Sequence, residues 1–293
     1  MVTLHGSIPA LVTPFTADGR LVDEDAYAGL IERQVAGGSH GLVPVGTTGE
    51  SPTLSEDEHV RVIGLCVEAA KGRVPVIAGA GSNNTEAALR LARGAAEAGA
   101  DALLATTGYY NKPSQAGLIA HYEALTTETS LPVVIYNVPS RTACDVSVAT
   151  LARLSRLENV VGVKDATGDL ARVARQRREC ADGFVQLSGE DATAVGFNAM
   201  GGRGCISVAA NVAPEAFASL QNACADGDWD GARELQTRLI PLIDAMFADT
   251  NPAPVKYALS RMNLCQGTLR LPLVPASEAA RRAVDAALDE LGL

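Results

Sequence analysis

What this sequence lacks narrows its chemistry first. Its six cysteines (Cys66, Cys144, Cys180, Cys205, Cys224, Cys265) sit far apart, without a Cys-x-x-Cys pair or a metal-ligand spacing. Reduced, buried thiols in a cytoplasmic protein are the expectation. Positive charge is scarce: 24 Lys and Arg against 34 Asp and Glu leave a net charge of −10. That balance argues against a nucleic-acid or anionic-membrane partner. No uncharged apolar stretch approaches about 18 residues, so no membrane-spanning helix is expected. Met1-Val-Thr-Leu-His-Gly-Ser7 has neither the basic nor the apolar region of a secretory leader. No Gly-x-Gly-x-x-Gly follows an early strand, which weakens the case for an open, doubly wound nucleotide-binding sheet. The four histidines (His5, His40, His59, His121) avoid the predicted strand ends. Neither a Ser-His-Asp set nor a metal site is therefore expected.

What is present repeats. With 47% hydrophobic residues, 28 glycines and only 4% aromatics, the composition suits α/β layers packed from small branched side chains. The pattern is an apolar β-branched run, a glycine-bearing loop and an amphipathic helix. Strands are predicted at Ile8–Thr13, Gly41–Val45, Val74–Ala78, Asp101–Ala105, Pro132–Tyr136, Val160–Lys164, Phe184–Leu187 and Gly204–Val208. Their ends are spaced from 20 residues (Leu187 to Ser207) to 34 (Leu11 to Val45). Each step has room for a crossover helix, so neighbouring strands should be parallel. Helices are predicted at Val22–Ala36 and, from a Ser55/Glu58 capping box, through Ala70. Eight such units predict an α/β (β/α)8 TIM barrel over residues 1–227, with its site at the C-terminal strand ends. From about Asp228 strands cease, and residues 228–293 read as a C-terminal helical extension with helices at Trp229–Ala248, Pro254–Met262 and Ser277–Leu291.

The strand ends carry the chemistry. Lys164 closes the run Val160-Val-Gly-Val163 and precedes Asp165-Ala-Thr-Gly-Asp169, where a helix should open. A lysine ending an apolar strand either reaches solvent or reacts, because burying its ammonium is costly. Attack on a carbonyl needs the neutral amine, which burial favours. After the second strand, Thr47 and Thr48 lie between Gly46 and Gly49, a turn whose N–H and hydroxyl groups could hold a carboxylate or merely cap a helix. Tyr109 and Tyr110 follow the fourth strand and could pack or mediate an oligomer contact. Tyr136 ends the fifth strand, one βα unit before Lys164, as a core residue or a proton carrier. Taken together, lysine, tyrosine and threonines without a metal or phosphate loop suggest Schiff-base carbonyl chemistry.

Gly46-Thr-Thr-Gly-Glu50, Tyr109-Tyr-Asn-Lys-Pro-Ser114, Tyr136-Asn-Val-Pro-Ser-Arg-Thr142, Val163-Lys-Asp-Ala-Thr-Gly-Asp169 and Gly201-Gly-Arg-Gly-Cys-Ile-Ser207 resemble the dihydrodipicolinate synthase and N-acetylneuraminate lyase family, in order and over nearly the whole chain. The resemblance implies a Schiff-base aldolase that condenses pyruvate with L-aspartate-4-semialdehyde in lysine and diaminopimelate biosynthesis. It implies no cofactor, no metal, and a homotetramer of two tight dimers. By the same resemblance Lys164 forms the Schiff base and Tyr136 moves protons, linked through Thr47 to Tyr110 of the facing subunit. Thr48 binds the pyruvate carboxylate, with Gly189 and the Ile206 backbone lining that pocket, and Arg141 holds the carboxylate of the second substrate. An effector site for lysine is implied at Ser51, His59, Asn83, Ala87 and Tyr109, with Ala87 standing where lysine-inhibited members carry glutamate. Glu56, nearby, could replace that carboxylate. Two rivals stay open: a sibling aldolase or lyase acting on sialic acid, a sugar acid or hydroxyoxoglutarate, and a catalytically silent barrel that only binds pyruvate. Arg141 favours the first reading over the sibling enzymes, and a proton relay serves no purpose in a binding module.

Overall fold

Seven parallel strands make one curled sheet in the computed structural model, which describes residues 2–293. They are β1 (Gly6–Pro9), β2 (Ile77–Gly79), β3 (Ala102–Thr106), β4 (Val133–Asn137), β5 (Val160–Asp165), β6 (Val185–Ser188) and β7 (Gly204–Ser207). Their order is β1-β7-β6-β5-β4-β3-β2, sequential except that β1 lies beside β7. Helices fill the steps between strands, as the spacing predicts, and the architecture is an α/β fold of TIM-barrel type.

The predicted strand at Gly41–Val45 is the departure. It survives as two isolated parallel bridges, Ala10 to Val43 and Leu42 to Val76, which tie residues 42–43 to both edges of the sheet. The reason is local. Pro44 has no N–H to continue a ladder, and Val45 turns into the left-handed region with φ 48°. A β-branched residue there carries about 1–2 kcal/mol of strain. The next strand shortens for a related reason: Pro75 removes a donor from predicted Val74–Ala78, and β2 begins at Ile77. β1 also comes earlier than predicted Ile8–Thr13.

Side chains alternate between two cores, as the period of a strand requires. Ile8, Ile77, Leu104, Val134, Leu187 and Ile206 fill the space inside the curled sheet. Ala78, Leu103, Ile135 and Val163 face the surrounding helices with Tyr27, Ile63, Leu118 and Leu151. The helix Glu56–Ala70 starts with the predicted box: the Ser55 hydroxyl accepts from the Glu58 N–H, and the Glu58 carboxylate accepts from the Ser55 N–H. Three helices close the chain, at Trp229–Met246, Ala253–Arg261 and Glu278–Leu291. They share a core with Val12, Leu30, Val208 and Phe217 from the preceding elements. Among the described residues, no helix is long and apolar enough to cross a membrane.

A buried ion pair joins the C-terminal helices to the turn after residues 42–43. Lys256 Nζ lies 2.5 Å from Glu50, donates to the Thr268 carbonyl at 2.8 Å and stands 4.1 Å from the Phe15 ring centroid. Burial pushes the Lys256 amine below its usual range, and the Glu50 charge opposes that shift. Arg270 stacks on the same ring at 4.2 Å, donates its backbone N–H to Glu50 and grips Glu58 with both guanidinium arms at 2.6 and 2.8 Å. The pull of Arg270 holds the Glu58 carboxyl down at about 2.

Candidate active site

Tyr136 and Lys164 are register partners in the β4–β5 ladder, as are the next residues, Asn137 and Asp165. Alternation sends the first pair inward and the second pair outward. The outward pair is tied down. Asp165 accepts from the Thr167 hydroxyl (2.6 Å), from Gln176 (2.7 Å) and from Arg172 Nε (3.1 Å). Asn137 donates to Asp145 at 2.8 Å and accepts from the Val146 N–H at 3.0 Å, while Arg172 also reaches Asp145 at 3.2 Å. This network clamps the strand end one residue beyond each inward side chain, so Tyr136 and Lys164 are presented by fixed backbone. Lys164 is 5% exposed, and its Nζ stands 4.2 Å from the centre of the Tyr136 ring.

The two side chains share a cavity of about 230 Å³ with Thr47, Thr48, Arg141, Gly189, Glu190, Phe247 and Asn251. That volume lies under the roughly 300–1,000 Å³ of drug-sized sites and suits substrates of a few carbon atoms. Gly189 is a matter of space. A Cβ there would stand 2.6 Å from the Ala166 Cβ and 3.1 Å from the Lys164 Cε, so any side chain would collide with the reactive arm or its wall. Thr48 is buried, and its Oγ accepts a hydrogen bond from the Asn251 side-chain amide at 3.0 Å. With an acceptor site so filled, its hydroxyl proton is left to donate. The turn that carries it is held by Gly49 and Glu50 N–H groups bonded to Gly46 and Thr47 carbonyls, each at 3.1 Å, and by Glu50 in the left-handed region at φ 54°.

Arg141 sits in a four-residue helix, Pro139–Thr142, directly after β4. The nearby ion pairs use other residues: Arg172 with Asp145 and Asp165, Lys256 with Glu50, and Arg270 with Glu58. Arg141 and Glu190 thus line the cavity without an ion-pair partner among the described residues. Burial raises the Glu190 carboxyl above its ordinary range, helped by the charge of Asp191 and opposed by Lys164 and Arg141.

Two predicted residues stand apart from this cavity. Ile206 is buried in the interior core beside Tyr136 and Leu187, and it is not part of the cavity wall. Tyr110 is 89% exposed, with φ 68°, and lines a second cavity of about 660 Å³ together with Tyr109, Ser51, Glu56, His59 and Ala87. The two cavities adjoin, because Thr47, Tyr136 and Arg141 belong to the walls of both.

A sequence profile of the dihydrodipicolinate synthetase family matches residues 3–291. The chain belongs to that family. A 4-hydroxy-tetrahydrodipicolinate synthase from Parvibaculum lavamentivorans is 59% identical over 288 residues, covering 98% of each chain. Among solved structures, a dihydrodipicolinate synthase from Aquifex aeolicus superposes with TM-score 0.96 at 40% identity over 99% of both chains. The enzyme from Cyanidioschyzon merolae with lysine bound superposes with TM-score 0.96 at 34% identity, over 99% of this chain and 98% of that one.

Several residues of this family site escaped the sequence reading. Asn251 lies 203 positions from Thr48, and only the packing of the C-terminal helices brings them together. Glu190 looks like one of two solvated acids before a helix; nothing in Gly189-Glu-Asp191 says which one turns into the cavity. The clamp on Asp165 had a weak signal, an acid directly after the lysine of an apolar strand, but its partners are 7 and 11 residues onward in the next helix.

Proposed function

We propose that this chain is a Schiff-base aldolase that condenses pyruvate with L-aspartate-4-semialdehyde to 4-hydroxy-tetrahydrodipicolinate, the activity named for its relatives. The observation that carries the reading is the buried Lys164 amine, without an ion-pair partner among the described residues, 4.2 Å from the Tyr136 ring in a cavity that Arg141 also lines. In this reading the Lys164 Nζ attacks the keto carbon of pyruvate, and the departing oxygen leaves as water, taking a proton from Tyr136. The iminium draws electrons from the methyl carbon. A methyl proton passes to the tyrosinate, the resulting enamine attacks the aldehyde carbon, and the alkoxide so formed takes that proton back from Tyr136. The amino group of the second substrate then displaces Lys164 from the iminium carbon, closing the ring and returning a proton to the tyrosinate. Thr48 and its turn receive the pyruvate carboxylate, Gly189 keeps room for the arm, and Arg141 binds the carboxylate of the second substrate in bidentate fashion. The same proposal gives the Ile206 backbone a place beside bound pyruvate, although Ile206 lies in the interior core and outside the cavity wall of the isolated chain.

Thr47 and Tyr110 complete a proton path from Tyr136 to solvent, with Tyr110 supplied by a second copy of the chain. Its exposure on the isolated chain supports that reading. The assembly we propose is a dimer of tight dimers working in the cytoplasm, with residues 1–227 as the catalytic barrel and 228–293 as a helical extension that braces the carboxylate turn through Asn251 and Lys256. The eighth barrel position belongs to the segment around Leu42 and Val43, whose bridges reach both sheet edges.

The test is chemical. Incubation with pyruvate and borohydride should add one reduced pyruvyl group, mapped to Lys164, and pyruvate with aspartate-4-semialdehyde should give product in a coupled assay. Label on another lysine of active protein would sink the assignment. Turnover of sialic acid or a sugar acid above that of the semialdehyde would move the chain to a sibling activity.

A further inference from the structure

Lys256 and Glu50 form an ion pair whose side chains have no solvent exposure. Neither belongs to the wall of the Lys164 cavity, so the pair takes no direct part in the chemistry. Stability is not a sufficient reason for it either. Desolvation of two charges offsets most of their attraction, and apolar residues of similar volume in place of a buried pair are often neutral or stabilising. What the pair supplies is direction. Apolar burial is non-directional, whereas a charge-assisted contact fixes how two backbones meet. Both backbones here lead to Thr48. Glu50 closes the turn that carries Thr48, in the left-handed region at φ 54°, and its carboxylate also accepts from the Arg270 N–H at 3.1 Å. Within that turn the Gly49 carbonyl accepts from the Thr13 hydroxyl at 2.7 Å. Lys256 stands in the helix Ala253–Arg261, just beyond Asn251, whose amide donates to the Thr48 hydroxyl at 3.0 Å. The two segments are therefore tied twice, Asn251 to Thr48 and Lys256 to Glu50. Val255, Ala258 and Leu259 of the same helix pack through apolar contacts, which by themselves would let the helix slide along the turn.

We propose that the buried Lys256–Glu50 pair is a positioning device for the first substrate: it holds the C-terminal helix in register over the turn, so that the Thr48 hydroxyl is aimed at the pyruvate carboxylate. This rests on the functional reading above, which seats that carboxylate in the turn. Lys256 and Glu50 touch no substrate and act through Thr48. A displacement of about 1 Å in a binding group can cost on the order of 100-fold, a loss that the stability of the fold does not register. Removal of the pair is therefore felt in pyruvate binding, while the aldehyde and the fold are nearly untouched.

The experiment uses the double variant Lys256→Met with Glu50→Gln, which removes both charges together and keeps side chains of similar length. Either change alone would bury an unpaired charge. Wild type and variant are compared by thermal unfolding and by initial rates with pyruvate and aspartate-4-semialdehyde varied in turn. A third measurement is the pyruvate concentration that gives half-maximal borohydride trapping at Lys164. The variant should need about 10- to 100-fold more pyruvate, in trapping and in turnover alike. Its KM for the semialdehyde and its kcat at saturating pyruvate should stay within about threefold of wild type. Its thermal midpoint should stay within about 5 °C of wild type. An unchanged pyruvate dependence in the folded variant would overturn the inference, as would equal losses for the two substrates, the mark of a general loosening. Failure to fold, or a midpoint lowered by more than about 5 °C, overturns it too, because the pair would then serve stability. Wild-type protein that traps no pyruvate at Lys164, by contrast, defeats the functional reading itself and this inference with it.

Discussion

At the scale of the residue, the site depends on what is missing from position 189 as much as on the lysine. Gly189→Ala would place a methyl 3.1 Å from the Lys164 Cε and 2.6 Å from the Ala166 Cβ. The second contact is closer than Cβ atoms approach one another, so the loop must shift. Overpacking of this kind costs about 1–3 kcal/mol, and here part of it falls on the reactive arm. We expect the rate of pyruvate trapping by borohydride to fall at least about tenfold, with a thermal midpoint a few degrees lower. Trapping at the wild-type rate would show that the arm has another path. The need for glycine at this position cannot be read locally, since Ser188-Gly-Glu190 resembles any βα turn.

At the scale of the element, the helix Glu56–Ala70 is pinned at its first turn by a residue from the far end of the chain. Glu58 closes the capping box with Ser55 and also takes both arms of Arg270. Its carboxyl is lowered from 4.5 to about 2, first by the hydrogen bonds from Arg270. A depressed carboxyl stabilises the fold only while ionised. The contribution is therefore complete above about 4.5, declines as pH falls toward 2, and is absent below. We expect Glu58→Gln to cost about 1–3 kcal/mol at pH 7, discounted for the partial exposure of the pair. The gap between variant and wild-type thermal midpoints should close as pH falls through 4.5 toward 2. A gap that persists unchanged at acid pH would assign Glu58 a packing role instead. The capping box was legible in Ser55 and Glu58; the hold of Arg270 on it, 212 residues away, was not.

At the scale of the whole molecule, two outcomes depend on how copies of the chain meet. If Tyr110 completes the path of a facing subunit, inactive Tyr110→Phe and inactive Lys164→Ala proteins should regain activity when mixed under subunit exchange. Each mixed dimer then holds one site with both residues. No recovery after demonstrated exchange would keep Tyr110 within its own chain or outside the path. Regulation is the second outcome. Ala87 lines the cavity beside Tyr109 and His59, and Glu56 is the one carboxylate on its described wall. Glu56, the candidate replacement for the missing glutamate, is engaged by Arg90 at 2.9 and 3.1 Å. Burial holds His59 at about 4, so it is neutral near pH 7. An effector ammonium would have to take Glu56 from Arg90, and losing one charge-assisted bond weakens binding by roughly one to two orders of magnitude. Free lysine should inhibit only weakly. Half-inhibition at submillimolar lysine in an initial-rate titration would show that Glu56 lets Arg90 go.

The alternation of apolar runs, glycine loops and helices was enough to predict parallel α/β layers, and strand periodicity placed Tyr136 and Lys164 one βα unit apart because both signals are local. Five short motifs were enough to point to the family. The same local reading extended the Gly41–Val45 run into a full strand, since hydrophobicity does not register a missing N–H at Pro44 or the left-handed turn at Val45. What tertiary structure alone decided was everything that joins distant segments. Asn251 reaches Thr48, Lys256 reaches Glu50 and Arg270 reaches Glu58 only after the last helices fold back over the strand ends. Which of two neighbouring acids turns inward was decided in the same way: Asp191 is drawn to the N–H groups of Val208 and Ala209, and Glu190 is left facing the cavity. Periodicity reports which face of an element is apolar; it carries no information about which polar group on another element will arrive there.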